Sequence, residues 1–167
     1  QYLFAEIVVC AQLDAEQCDT CINYMFLAFV NKIGLKYALK GFSALVTKQE
    51  NANIQVLEEK KAFLQLSKLL NTTNDTVHLS YAMQLCADLA ERGIFIPFDL
   101  ERIFRFIVES EAPWFCCTLL ESISRITSVA PDEFIMSLNE IDAVGAFYTK
   151  NCSEFNVKIA VTRCLSE

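Results

Sequence analysis

The sequence is poor in the residues that interrupt helices, with four glycines and three prolines in 167 residues. The glycines stand far apart, at positions 34, 41, 93 and 145, so the chain has no glycine-rich loop of the kind that binds phosphate. No segment alternates polar and apolar residues over a useful length, whereas apolar residues recur at helical spacing almost throughout. The sequence therefore predicts an all-α fold.

Long apolar runs and basic clusters are also missing. The longest apolar runs, residues 24–30 and 93–98, are far shorter than the roughly 18–20 residues of a transmembrane helix, so no membrane span is predicted. The net charge is −7, and the only adjacent lysines, Lys60 and Lys61, directly follow two glutamates. This balance argues against nucleic acid as the main ligand. A hydrophobic fraction of 53% is enough for one domain with a sizeable core.

Histidine occurs once, as His78, and cysteine eight times. The only Cys-x-x-Cys motif, Cys18 to Cys21, has no second pair of ligands at a spacing that suits zinc. No strand precedes it, as one would in a redox motif, so we interpret it as a structural pair at a helix end. A Cys–His nucleophile would have to use His78, whose place beside an apolar helix face favours packing or a loop hydrogen bond. We predict no catalytic residue, no metal site and no cofactor.

Three cysteines fall on apolar helical stripes, as buried free thiols do: Cys86, Cys116 and Cys164. A cytoplasmic protein with reduced thiols is therefore favoured. Three Asn-x-Ser/Thr sequons fall in predicted loops and leave a secreted protein open: Asn71, Asn74 and Asn151. The chain begins with Gln and ends within a helical pattern, so we expect it to be a domain of a longer protein.

Residues 75–91, DTVHLSYAMQLCADLAE, form the most apolar helical stretch. Its side chains at positions 77, 81, 85 and 89 recur every four residues, and His78, Ala82 and Cys86 lie beside them. This apolar band is too wide for a helix that faces solvent, so we predict an inner helix that is covered from two sides.

Apolar spacing predicts further helices before and after this stretch. Gly34 is expected to end the second helix, Gly41 to allow a close helix contact, and Pro113 and Pro131 to begin helices. The predicted helices lie near residues 3–11, 22–33, 35–46, 54–70, 98–109, 114–127, 131–138, 141–148 and 153–165. Inward positions in the helix near 141–148 are Ile141, Val144 and Tyr148.

The later part of this pattern repeats. Leu70, Ile107 and Tyr148 each close one helix, and a short polar segment and a longer apolar helix follow each of them. A period near 40 residues with this alternation resembles the armadillo/HEAT family of α-solenoids, over residues 60–167. A compact superhelical bundle and a plain helical bundle are the alternatives.

The resemblance implies a right-handed superhelix of stacked helical hairpins or triplets, in which each unit buries its apolar faces on its neighbours. The expected organisation is a single domain over residues 1–167. It has N-terminal helices in 1–47 and repeat-like units at 54–93, 97–128 and 131–166.

In armadillo-like stacks the last helix of each unit lines a concave face that binds extended peptides. The resemblance implies contacts from the polar side of those helices: Gln84, Asp88, Glu121, Arg125, Lys158 and Thr162. The function expected first is a non-enzymatic scaffold or adaptor that binds a peptide or a helical protein. The alternatives are a structural subunit or oligomer with a permanent apolar interface, and a thiol enzyme or ligand carrier. Solvated helix positions would show the same rows.

Overall fold

The computed structural model describes residues 2–50, 52–129 and 137–166, and in these ranges the chain is all-α, as predicted. No described helix has both the length and the hydrophobicity to cross a bilayer. The ten helices of the described residues are α1 (Tyr2–Cys10), α2 (Ala15–Val30), α3 (Leu35–Lys48), α4 (Gln55–Glu59), α5 (Ala62–Thr72), α6 (Thr76–Ala90), α7 (Leu100–Glu109), α8 (Pro113–Val129), α9 (Leu138–Asn151) and α10 (Phe155–Ser166).

Short acidic side chains cap several helix starts. Asp75 accepts a hydrogen bond of 2.8 Å from the backbone N–H of His78 and begins α6. Asp14 and Gln17 form a reciprocal capping box at the start of α2, and Asp99 caps α7. Each cap satisfies an N–H group that has no partner inside its helix. The predicted bounds of the 75–91 helix are thereby confirmed.

Five helices lie side by side, because the principal helix contacts join α1 to α3, α3 to α6, α6 to α8, and α8 to α10. We call these five the inner row. The outer helices pack on it: α2 on α1 and α3, α5 on α6, α7 on α8, and α9 on α10, with a further contact between α7 and α9. Helix α6 thus meets α3, α5 and α8, which explains its wide apolar band.

Two contacts show that α3 and α6 run parallel. The Lys36 ammonium lies 5.9 Å from the centre of the Tyr81 ring, and Ser43 donates a hydrogen bond to Asp88. Both pairs are 45 residues apart in sequence, and they lie seven residues apart along each helix. In antiparallel helices the sequence separation of contacting residues would differ between the two contacts, so the equal separations show a parallel pair. The buried apolar side chains form one continuous core along the row, from Val8 to Cys164.

The predicted helix over 54–70 is wrong, because the chain breaks there into α4 and α5. Lys61 adopts a left-handed conformation, with φ 58°, between the two helices. The second helix ends at Val30 rather than at Gly34, which has φ 62° and directly precedes α3. The short helix predicted from Pro131 lies outside the described residues.

The inward face of α9 also differs from the prediction. Val144 and Phe147 are buried, whereas Ile141 and Tyr148 are 41% and 38% exposed. Helix α9, which contacts α7 and α10, therefore buries a face that contains Val144 and Phe147. This face is rotated by about one residue from the predicted one.

Gly41 lies at a close contact between α2 and α3, as the sequence suggested. A Cβ atom at this position would lie 2.0 Å from the Sδ atom of Met25, which is buried. We expect Gly41→Ala to lower the free energy of unfolding by about 1–2 kcal/mol, because the overlap outweighs the higher helix propensity of Ala. Urea denaturation followed by circular dichroism measures this change.

Gly145 provides the matched control, because it lies in α9 and a Cβ atom added there would meet no atom within 4 Å. There Gly145→Ala should raise the free energy of unfolding by up to about 1 kcal/mol. Stabilisation by both substitutions would contradict the close contact between α2 and α3.

Candidate functional site

Helix α8 has one stripe that is open to solvent. It packs against α6, α7 and α10, and its other side chains on these three sides are largely buried. The open positions recur every three or four residues, as positions on one helix face do. They are Trp114, Thr118, Glu121, Arg125 and Ser128.

Equivalent stripes lie on the neighbouring helices of the row. In α6 the side chains of Tyr81 and Gln84 are half-buried, and in α10 those of Phe155, Lys158 and Thr162 are exposed. We call the following residues of α6, α8 and α10 the inner-row surface: Tyr81, Gln84, Trp114, Thr118, Glu121, Arg125, Phe155, Lys158 and Thr162.

An ionic network joins three helices at this surface. Arg125 of α8 donates a hydrogen bond of 2.6 Å from Nη2 to Asp88 Oδ1 in α6, and one of 2.8 Å from Nε to Glu91 Oε1. The second carboxylate oxygen of Asp88 accepts the hydrogen bond from Ser43 in α3. Asp88 and Arg125, two of the residues that the sequence analysis selected, are thus bound to each other across the row.

The electrostatics of the network follow from these bonds. The hydrogen bond from Arg125 lowers the pKa of Glu91, and the same bond raises the pKa of Arg125. The side chain of Asp88 is 6% exposed and that of Arg125 is 38% exposed. The Asp88 carboxylate is therefore buried and bonds only within the described part of the protein, whereas part of the Arg125 guanidinium is exposed to solvent.

The other four residues that were predicted to contact a peptide form no bond to Asp88, Glu91 or Arg125 in the described structure. Gln84 is half-buried, and Glu121, Lys158 and Thr162 are exposed. Glu121 lies close enough to Cys117 for its charge to help raise the pKa of that thiol to about 11, after the larger effect of burial. Glu154, which directly precedes α10, acts on the same thiol, so the start of α10 lies near the first turns of α8.

Two aromatic side chains of the surface were missed in the sequence analysis. Trp114 is 58% exposed and Phe155 is 74% exposed. Trp114 lies seven residues before Glu121, and Phe155 lies three residues before Lys158, so each shares a helix face with a selected residue. Extending the polar stripes by one or two turns would have found both.

Helix α1 is the N-terminal end of the inner row and packs on α3. Glu6 pairs with Lys40 at 2.7 Å, and the Tyr2 and Tyr37 rings meet edge to face with centres 5.2 Å apart. Lys40 therefore contacts α1 and does not extend the inner-row surface.

Burial raises the pKa of the buried thiols, which favours their neutral form. Cys86, Cys116 and Cys164 are buried and free, as predicted, and burial raises the pKa of Cys164 to about 11. Cys18 and Cys21 are buried in the first two turns of α2, and burial raises the pKa of both. Among the described residues, no group of three or more His, Cys, Asp or Glu side chains is placed to hold a metal ion.

His78 takes part in the cap of α6. Its backbone N–H binds Asp75, and its Nδ1 atom lies 3.5 Å from Asp75 Oδ1. This position agrees with the structural role that the sequence favoured.

Comparison with known proteins gives no match: no protein-family model, curated protein or solved structure is significantly similar to this chain. The function is therefore inferred from packing and side-chain chemistry alone.

Proposed function

We propose that the chain is a non-enzymatic scaffold or adaptor domain of the armadillo/HEAT-like type, and that its inner-row surface binds an extended peptide. The proposal is supported by the sequential contacts along the row, since the principal helix contacts join α3 to α6, α6 to α8 and α8 to α10. The Asp88–Arg125 pair and the proximity of Cys117 to Glu154 both have the offset of 37 residues that a repeat would give.

The observation that carries the proposal is the pair of exposed aromatic side chains beside polar ones. Trp114 and Phe155 are large apolar groups that lie more than half in solvent. Trp is enriched among the residues that dominate binding energy at interfaces, and aromatic anchors with polar neighbours are typical of such sites. Gln84 and Thr162 can exchange hydrogen bonds with the main chain of a peptide.

The Asp88–Arg125–Glu91 network has a positioning role in this proposal. It ties α6 to α8 next to Gln84 and Glu121, and it holds Arg125 in one orientation through two carboxylates. A fixed surface loses less conformational entropy on binding than a mobile one.

Peptide-library display on the purified chain tests the proposal. For a selected peptide we expect Trp114→Ala and Glu121→Lys each to weaken binding by about ten-fold or more, since both remove contacts from α8, the middle one of the three helices that form the surface. Fluorescence anisotropy measures the dissociation constants.

The matched control is Ile141→Ala, which truncates an exposed apolar side chain on the outer helix α9. This variant should bind the peptide as the parent chain does. Equal weakening by all three substitutions, or by none, would contradict binding at the inner-row surface.

A location in a reducing, cytoplasmic environment is also part of the proposal. All eight cysteines are free, and two of the sequon asparagines have structural partners. Asn71 Oδ1 accepts a hydrogen bond of 2.8 Å from the backbone N–H of Asp99, and Asn74 Oδ1 accepts one of 3.1 Å from Arg102. These amides join the end of α5 and the α5–α6 turn to α7 and its cap, which gives both asparagines a structural role.

A permanent structural subunit is the second candidate, and the outer helix α2 favours it. Tyr24, Leu27 and Val30 are each about half exposed or more, at 53%, 59% and 49%. Such an apolar stripe is uncommon on an isolated soluble domain. A purified chain that is monodisperse and monomeric without a partner would count against this candidate.

A further inference from the structure

A groove separates α5 from the α2–α3 turn. Its volume is about 220 Å³, which is below the roughly 300–1,000 Å³ of pockets for drug-sized ligands. It suits a few side chains of a larger partner better than an enclosed small molecule. The groove is lined by Phe29, Val30, Lys32, Leu35, Gln65, Lys68, Leu69 and Thr72, and we call these residues the α2–α5 groove.

Exposed apolar side chains surround this groove. Val30 lines it and is 49% exposed, and Ile33 in the adjacent turn is 62% exposed. Leu27 lies one helical turn before Val30, and Leu64 one turn before Lys68; they are 59% and 64% exposed. The apolar area thus extends along both helices beyond the groove itself.

The charges at the groove are all positive. Lys32 and Lys68 line it, and no carboxylate does. Neither ammonium lies within 4.0 Å of a carboxylate in the described part of the chain. Both lysines therefore remain available to an acidic partner.

The part of the sequence that forms the groove is also basic, whereas the rest of the chain is acidic. Residues 20–72 hold seven lysines and three glutamates, a balance of +4, whereas the rest of the chain holds seven basic and eighteen acidic residues, a balance of −11. These two balances make up the net charge of −7. This asymmetry is not visible as adjacent basic residues, because the lysines are spread over several helices; it becomes visible when charges are counted over a longer window.

The turn that carries Lys32 is held in an uncommon conformation. Lys32 has φ 56°, in the left-handed region, which costs a non-glycine residue about 1 kcal/mol or more. Backbone hydrogen bonds of 3.2 Å from Lys32 to Phe29 and 3.0 Å from Ile33 to Ala28 hold the turn. The backbone of the turn is therefore held in one conformation beside the groove.

We propose that the α2–α5 groove binds an acidic amphipathic helix of a partner protein. Apolar side chains of such a helix would enter the groove and cover Val30 and Leu64, while its carboxylates would pair with Lys32 and Lys68. Helix-in-groove recognition seats the apolar face of an amphipathic helix on apolar side chains of the groove. Half of the lining residues here are apolar: Phe29, Val30, Leu35 and Leu69. The charge complementarity selects an acidic partner over a basic one.

The geometry favours a protein over a membrane or a nucleic acid. Interfacial membrane binding uses a protruding apolar helix face that enters the lipid, whereas here Val30, Leu35 and Leu69 line a recess together with polar side chains. Nucleic-acid binding relies on many Lys and Arg contacts to phosphates, and the groove lining contains two basic side chains, Lys32 and Lys68.

This surface shares no residue with the inner-row surface. The two proposals can therefore fail independently, because substitutions at one surface leave the other unchanged.

A fluorescent acidic peptide tests the proposal on the full chain. The probe is about four helical turns long, with leucines along one face and glutamates on the others. We expect saturable binding that weakens with added salt. Lys68→Glu should weaken binding about ten-fold or more, since it places like charges together at the interface.

Lys150→Glu is the matched control, because it makes the same change of charge at an exposed lysine on α9. It should leave the affinity within about two-fold of the parent. Val30→Ser tests the apolar contribution and should weaken binding several-fold. Circular dichroism checks that each variant is folded. We expect all of them to be folded, because the substituted side chains are exposed.

Four results would overturn the proposal. One is equal affinity for a peptide with lysines in place of the glutamates, and another is equal loss of binding in Lys68→Glu and Lys150→Glu. A third is absence of peptide binding while single-stranded RNA or vesicles of anionic phospholipid bind in a Lys68-dependent manner. The fourth is self-association that Lys68→Glu abolishes, which would make a second copy of this chain the occupant.

Discussion

Replacement of Arg125 by methionine is expected to lower the free energy of unfolding by about 2–3 kcal/mol at neutral pH. The substitution leaves Asp88 with a side chain that is 6% exposed and without its cationic partner. Loss of one member of a buried ion pair is costly because the other charge remains desolvated. The expected value is at the lower end of such effects, because Arg125 is itself 38% exposed and water can replace part of it.

The effect of this substitution should shrink at acid pH. The hydrogen bond from Arg125 lowers the pKa of Glu91 in the folded state. A carboxyl group with a lowered pKa stabilises the fold above its unfolded pKa, and this contribution is lost as the pH falls through the folded pKa. The variant lacks the contribution at every pH, so the difference from the parent narrows below about pH 4. Urea denaturation at several pH values measures it.

A double-mutant cycle separates the ion pair from general damage to α8. Asp88→Asn keeps an oxygen that can accept the bond from Ser43, and it removes the charge that Arg125 neutralises. The double variant should therefore be more stable than Arg125→Met alone. Additive losses in the two single variants would show that Asp88 and Arg125 do not stabilise the fold as a pair.

The inner helix over 75–91 could be predicted because local signals agreed there. Its apolar band, the capping side chain of Asp75 and the turn at Arg92–Gly93 all indicate the same bounds, and α6 runs from Thr76 to Ala90. Such agreement between capping and periodicity needs no information about tertiary contacts.

The burial of Asp88 could not be predicted in this way. Gln84 and Asp88 lie on the same helix face, and both look like solvated positions in sequence. Asp88 is buried because Ser43 and Arg125, 45 and 37 residues away, both bind its carboxylate. Only the packing of α3 and α8 on α6 distinguishes the two residues.

The break between α4 and α5 could not be predicted from the sequence pattern either. Residues 54–70 keep helical spacing across the polar run 58–61, so periodicity alone predicts one helix. The chain instead turns at Lys61, which has φ 58°. Leu57 and Ala62 are buried on either side of this turn, so the break lets both α4 and α5 contact the core.

Replacement of Gln49 by methionine is the other substitution for which we expect a large loss, of about 3 kcal/mol. The side chain of Gln49 follows the last turn of α3 and is buried, with 2% of the residue exposed. Its Nε2 atom donates to the carbonyl oxygens of Val8 and Ala11, at 2.8 and 2.7 Å. Its Oε1 atom accepts from the backbone N–H of Leu13, at 3.0 Å.

These three bonds close the C-terminal end of α1, where carbonyl groups lack partners inside the helix. Methionine fills a similar volume but donates to neither carbonyl, so the loss reflects hydrogen bonding rather than a cavity. Hydrogen exchange should show that the amides of α1 lose protection before those of α6. Chemical denaturation measures the global loss.

Two further substitutions decide whether the amide itself matters. Gln49→Glu keeps an acceptor for Leu13 but directs a carboxylate at two carbonyl oxygens, so at neutral pH it should destabilise at least as much as Gln49→Met. Gln12→Met makes the same chemical change at an exposed position and should stay within about 0.5 kcal/mol of the parent. If Gln49→Met were as mild as Gln12→Met, the attachment of α1 to α3 would depend on its apolar contacts and the Glu6–Lys40 pair instead.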